Sequence, residues 1–166
     1  IRSIVLSILQ IFINDFDAKN IEVSLDAGEA SERLVEVDYD SLFVSLFYLL
    51  ENSTKYCCPN TKYKIIFKEE KNCFSILFVM VSIPIKENEI ERLKEHGYRS
   101  DIAKNINVDG KGIGMYRITK TLKLNNAELE ITPRINDFKK QHGKIMYEGN
   151  QFKVKLIGQQ NWFKSN

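Results

Sequence analysis

The run Gly110-Lys111-Gly112-Ile113-Gly114-Met115 restricts the fold of this chain more than any other stretch. Its glycines recur at every second position and lead straight into Tyr116-Arg117-Ile118-Thr119-Lys120, which reads as a helix. Glycine tolerates φ > 0 and lets an anion come close to the backbone, while a helix start offers unpaired N–H groups at the positive end of its dipole. The pattern is a phosphate cradle in outline. Alone, a Gly-rich turn before a helix is more often only a loop, so a second element is needed. Leu49-Leu50-Glu51-Asn52-Ser53-Thr54-Lys55-Tyr56 supplies one.

The elements around these two stretches follow from periodicity. Ile4, Val5, Ile8, Leu9, Ile11 and Phe12 recur at helical spacing and predict an amphipathic helix over Arg2–Phe16. Ile21, Val23 and Leu25 alternate with polar residues as in a half-buried strand, and a polar turn through Gly28–Arg33 leads to a short strand at Leu34–Val37. Asp38 or Asp40 caps a helix over about Ser41–Tyr56. Tyr63–Phe67 and Phe74–Ser82 read as a hairpin joined by the charged turn Lys68–Asn72, and Asn88–His96 as a short helix. Gly97–Asp109 has no sustained period and reads as a mobile loop or lid. After a helix at about Ile113–Leu124 come strands near Glu128–Thr132, Lys144–Tyr147 and Phe152–Leu156. Irregular alternation of strands and helices, with hairpins, predicts one α/β sandwich domain: a mixed sheet with helices packed on one face.

Bulk properties exclude several classes. The 166 residues suffice for one domain with a substantial core. A net charge of +2 argues neither for nucleic acid nor for a membrane surface. No apolar run approaches the roughly 18 residues that span a bilayer. Cys57, Cys58 and Cys73 form neither an even disulfide framework nor a CxxC pattern, which fits a reducing cytoplasm. His96 and His142 have no zinc-site spacing around them. A start at Ile1 rather than Met reads as a fragment of something longer.

On the helix Ser41–Tyr56, at 100° per residue, Leu42, Phe43, Leu46, Leu49 and Leu50 cluster on one side. Tyr48, Asn52, Lys55 and Tyr56 gather roughly opposite. Such a face is ordinarily just the solvated one. Its residue types nevertheless suit nucleotide chemistry: an amide oxygen for Mg²⁺, an ammonium for phosphate, an aromatic ring for a base.

The stretch Leu49–Tyr56 resembles the N box of histidine-kinase catalytic domains, commonly written NLLxNAxKY, and Gly110–Met115 resembles their G2 box, GxGxGL. Their order and separation of about 60 residues also match. Val37-Asp38-Tyr39-Asp40 is similar to the segment leading into the N box, and Asn150-Gln151-Phe152-Lys153-Val154-Lys155-Leu156 to the closing strand, often N-x-F-x-I-x-L. The resemblance spans nearly the whole chain. It points to the ATPase superfamily shared by gyrase, the 90-kilodalton chaperones, histidine kinases and mismatch-repair proteins, whose fold is the Bergerat α/β sandwich.

The resemblance implies that ATP and Mg²⁺ are the cofactors. It implies that Asn52 coordinates the metal bridging the phosphates, that Lys55 contacts phosphate, and that Tyr56 lines the adenine or ribose side. Gly110, Gly112 and Gly114, with Ile113 and Met115 between and after them, wrap the triphosphate. Arg99 resembles an arginine placed just before the lid that reaches the γ-phosphate, against an ordinary reading as a solvated arginine. Two departures stand out. The first N-box position is Tyr48, which supplies neither an amide oxygen nor a carboxylate base, so efficient self-contained hydrolysis is not expected. The G1 box DxGxG is missing where the chain reads Ser82-Ile83-Pro84-Ile85-Lys86, and Ser82 offers a neutral hydroxyl in place of the adenine-reading aspartate.

The implied function is the ATP-binding catalytic domain of a cytoplasmic part of a sensor histidine kinase in two-component signalling. Its γ-phosphate would go to a histidine on a dimerisation domain expected upstream of Ile1, and through it to a response regulator, in a full-length homodimer. No catalytic residue is expected within this fragment. The alternatives are a nucleotide-blind interaction module and an anti-sigma-type serine kinase.

Overall fold

The structure, a computed structural model, describes residues 1–26, 28, 36–70, 73–106 and 110–157. Helix α1 (Arg2–Ala18) buries Ile4, Val5, Ile8, Leu9, Phe12 and Phe16. Ile11, expected on that face, is 53% exposed, because it lies just outside the edge of the buried arc. Strand β1 (Glu22–Asp26) follows. Of the strand expected at Leu34–Val37, residues 34 and 35 lie outside the described residues, as does most of the turn before it, and Glu36 and Val37 are not in a strand.

Helix α2 (Tyr39–Tyr56) starts at Asp38, whose carboxylate accepts the Ser41 N–H at 2.9 Å. Hydrogen bonding from Ser41, its side chain first and then its backbone N–H, holds the Asp38 carboxyl below its ordinary value. Leu42, Leu46, Leu49 and Leu50 are buried, and Phe43 is only half-buried at the edge of the core. Between the leucines, Ser45 and Ser53 return their hydroxyls to the carbonyls of Ser41 and Leu49, both at 2.8 Å. Small self-satisfied side chains let α2 sit closely between α1 and α5.

Strands β2 (Lys62–Glu70) and β3 (Cys73–Ser82) pair antiparallel, so Lys68–Glu70 are ladder residues rather than turn; residues 71 and 72 lie outside the described residues. The helix expected at Asn88–His96 is a 3₁₀ turn, Glu87–Glu89, followed by α3 (Ile90–Leu93). Within the segment expected to be an unpatterned loop, Asp101–Ile106 forms helix α4. It escapes periodicity because it is little more than one turn long. Helix α5 (Gly114–Leu122) leads through a 3₁₀ turn to β4 (Ala127–Thr132). The short β5 (Lys139–His142) was not legible in the sequence. The two strands expected at Lys144–Tyr147 and Phe152–Leu156 are one, β6 (Ile145–Ile157).

The mixed six-stranded sheet has the order β1-β2-β3-β6-β4, with β5 beside β6; β1 and β2 are parallel and the other pairs antiparallel. One face carries α1, α2 and α5, and the core lies between, where Phe16, Leu46, Tyr63, Phe78, Ile118 and Leu156 meet. On the other face Lys153 and Lys155 alternate with Glu70, Glu128 and Glu130 in an ion-pair ladder. The result is the two-layer α/β sandwich that the alternation predicts. None of the described helices is long and apolar enough to cross a membrane.

Candidate functional site

The polar side of α2 faces a cavity of about 410 Å³ rather than open solvent. Asn52, Lys55 and Tyr56 of α2, Ser82 at the end of β3, Arg99, and Gly110, Gly112, Ile113, Gly114 and Met115 all line it. The sheet contributes Met80 and Phe152, and the stretch after β3 contributes Ile83 and Ile85.

The glycines meet two different needs. Gly112 has φ +68°, and a Cβ there would lie 2.7 Å from the Gly97 and Tyr98 backbone. The Gly97 N–H donates to the Gly112 carbonyl at 3.0 Å, so two backbone strands touch where no side chain fits. Gly110 and Gly114 have no such dihedral, and their need is for close approach. A Cβ on Gly114 would stand 3.1 Å from both terminal atoms of Asn52, and one on Gly110 would stand 3.0 Å from the Arg99 guanidinium.

The cavity's polar groups sort into committed and uncommitted ones. Lys55 pairs with Glu51 at 2.8 Å one turn back on α2. Glu89 accepts the Tyr98 hydroxyl at 3.0 Å; burial, then this acceptor, pushes the Tyr98 phenol up from its ordinary value. Asn52 Nδ2 is buried with no hydrogen-bond partner among the described residues, which is costly unless something else completes it. Tyr48 stands off the nucleotide-like face's chemistry: its hydroxyl accepts from Arg117, whose guanidinium also lies over the ring, 5.1 Å from its centre.

Arg99 is half-buried at the cavity wall. Its guanidinium donates to the Gly110 carbonyl at 2.8 Å and the Ala103 carbonyl at 2.7 Å, tying the middle of α4 to the first glycine beyond it. That segment also packs Ala103 against Cys58, Ile83 and Tyr147 in a second small core, with Ile102 and Ile106 at its margin. Of the mobile loop or lid expected over Gly97–Asp109, residues 101–106 are thus a helix packed on this second core, while residues 107–109 lie outside the described residues.

Asn150, buried beside Ser82, was singled out in the sequence only as part of a closing strand. Tyr98, Leu93, Lys111 and Phe152 also line the cavity. Phe152 was reachable from the alternation of β6, and Leu93 lies in the short helix expected at Asn88–His96; Tyr98 arrives from irregular chain, where no period marks it. His96 and His142 are exposed, and no group of His, Cys, Asp and Glu among the described residues could hold a metal. A metal here would depend on Asn52 and on oxygens brought by the ligand.

Comparison with known structures places this geometry. The fold matches the catalytic domain of the histidine kinase ThkA with a TM-score of 0.73 at 15% identity, covering 94% of this chain and 92% of that one. It matches the mycobacterial sensor histidine kinase MprB with a TM-score of 0.71 at 14% identity, over 95% of this chain and 94% of that one. It matches full-length ShkA, solved in complex with AMPPNP, with a TM-score of 0.65 at 12% identity, over 93% of this chain and 29% of that one. By sequence, no protein-family model and no curated protein matches the chain. The chain thus has the fold of histidine-kinase catalytic domains.

Proposed function

We propose that this chain is the ATP-binding catalytic domain of a sensor histidine kinase, binding Mg·ATP and presenting its γ-phosphate to a histidine on a separate domain. The observation that carries the reading is the convergence of the N-box-like residues Asn52, Lys55 and Tyr56 with Gly110, Gly112 and Gly114 on one cavity. These stretches are far apart in sequence and meet in a fold shared with histidine-kinase catalytic domains. The donor set fits a nucleotide: an ammonium, an amide with an unspent N–H, and a backbone turn in which a Cβ would clash.

In this reading Asn52 holds Mg²⁺ through its carboxamide oxygen, Lys55 turns from Glu51 to phosphate, Tyr56 and Ser82 border the nucleoside, and residues 110–115 lie along the phosphates. Mg²⁺, when bound, neutralises charge on the transferring group. The protein's own contribution is positioning. Arg99 acts by holding the segment in place, since its guanidinium donates to the Gly110 and Ala103 carbonyls. The phosphoacceptor and dimerisation domain, the response regulator, a homodimeric full-length protein and a cytoplasmic site belong to the same proposal. Calorimetric titration with AMPPNP tests it: Mg²⁺-dependent binding is expected, and no heat at millimolar ligand with folded protein overturns it.

One observation favours a second reading, a nucleotide-blind interaction module. Residues 97–106 are already docked by Arg99 and Ala103, as they would be in a protein that never admits a ligand. The orphaned Asn52 amide weighs against it, because a permanently closed site would have no reason to keep that donor unsatisfied.

A further inference from the structure

The cavity is bipolar. Met80, Phe152, Ile83, Ile85 and Leu93 form an apolar wall at the sheet, with Ser82 as the polar group among them, while Asn52, Lys55, Lys111 and the glycines gather against α2 and α5. A nucleotide is bipolar in the same sense, so its phosphates take the donor side and its flat base the apolar wall. The edge of the base then meets Ser82.

The hydrogen bonds around Ser82 fix what it can offer. Ser82 is 3% exposed and Asn150, facing it from β6, is 0% exposed. Asn150 donates through Nδ2 to Ser82 Oγ at 2.9 Å and to the Ile83 carbonyl at 3.1 Å, and its Oδ1 accepts the Arg134 N–H at 3.2 Å. The Ile83 carbonyl demands a donor and the Arg134 N–H an acceptor, so the amide cannot be turned over. Ser82 Oγ is therefore an acceptor towards Asn150, and none of the described residues takes its proton. One O–H proton and one lone pair remain for whatever fills the cavity.

Resting on the nucleotide-binding reading above, we propose that Ser82, held by Asn150, reads the purine edge without regard to the substituent at position 6, so that 6-oxopurine nucleotides bind as adenine nucleotides do. Adenine presents an N–H donor at position 6 beside an acceptor at ring position 1; a 6-oxopurine presents the reverse. A hydroxyl with one proton and one lone pair rotates to satisfy either order. A carboxylate in its place would only accept, pairing with the adenine amine and repelling a 6-oxo group.

The test is calorimetric titration of the intact chain with the Mg²⁺ complexes of AMPPNP and GMPPNP. The Kd values are expected to agree within about tenfold, whereas a site built to pair with only one of the two edges discriminates by far more. A preference for AMPPNP beyond that overturns the inference without touching the nucleotide-binding reading. Ser82→Asp should move the ratio towards adenine by at least about tenfold, because the Asn150 amide can still donate to the new carboxylate. A folded Ser82→Asp protein with an unchanged ratio also overturns it, and if that variant fails to fold, the ratio in the unaltered chain decides alone. If neither analogue binds a folded protein, the nucleotide-binding reading falls and this inference falls with it.

Discussion

Asn52 and Gly112 show how two residues of the site can be equally important and respond oppositely to substitution. Asn52 Nδ2 is buried without a partner, so Asn52→Ala removes a donor that the fold does not use. Chemical denaturation should find stability changed by no more than about 0.5 kcal/mol, while titration finds the Mg²⁺-dependent part of nucleotide binding gone. Gly112→Ala must force φ +68° on a residue with a Cβ and press that atom to 2.7 Å from backbone that cannot step aside. A loss of about 1–3 kcal/mol is expected from denaturation. Gly110→Ala meets only the end of the Arg99 side chain and should cost clearly less. The sequence marks all these glycines alike. What distinguishes them is the partner across the gap, and that partner is set by tertiary packing.

At the scale of elements, what was legible depended on length. α2 spans enough turns for its leucine stripe and its Asn52 face to be read by counting, and β3 is long enough for its apolar run to mark a central strand. α4 and β5 are too short for a period to register. β6 runs unbroken across the gap between the two expected strands: Gly149 keeps the ladder to Val81 and admits the loop at Asn136, which a Cβ would meet at 2.6 Å. The same shortness makes α4 dependent on outside support. Arg99→Ala removes charged donors from the Ala103 and Gly110 carbonyls, a loss of about 2 kcal/mol for the segment. Hydrogen exchange should show faster opening at residues 101–106 and 110–113 with β3 and β6 unchanged. Equal protection in the variant would mean that the second core at Ala103 holds the segment by itself.

For the whole molecule, the one-sided helix layer has a consequence for pH dependence, because groups sealed between helices and sheet cannot ionise without opening them. Cys57 is 2% exposed and Tyr63 0%. Burial pushes the Cys57 thiol from an ordinary value near 9.0 up to about 12, and burial first, then the nearby Cys57, pushes the Tyr63 phenol up well above its own. Their folded-state affinities for the proton exceed the unfolded ones, so the stability linked to them is fully present below pH 9 and is lost as pH rises towards 12. The Cys57 contribution alone amounts to roughly 4 kcal/mol when complete. Lys19, which donates to the Lys55 carbonyl at the end of α2, works in the other direction: burial pushes its ammonium down, so its linkage favours the folded state as pH rises. With the buried thiol and phenol both opposing it, the balance falls on the alkaline side. Denaturation midpoints should therefore fall steeply above about pH 9. Below that fall, a thiol reagent should reach Cys57 and Cys58 only at the rate of opening, since both are buried. A stability profile still flat at pH 11 would show that Cys57 is reached by solvent in the folded state.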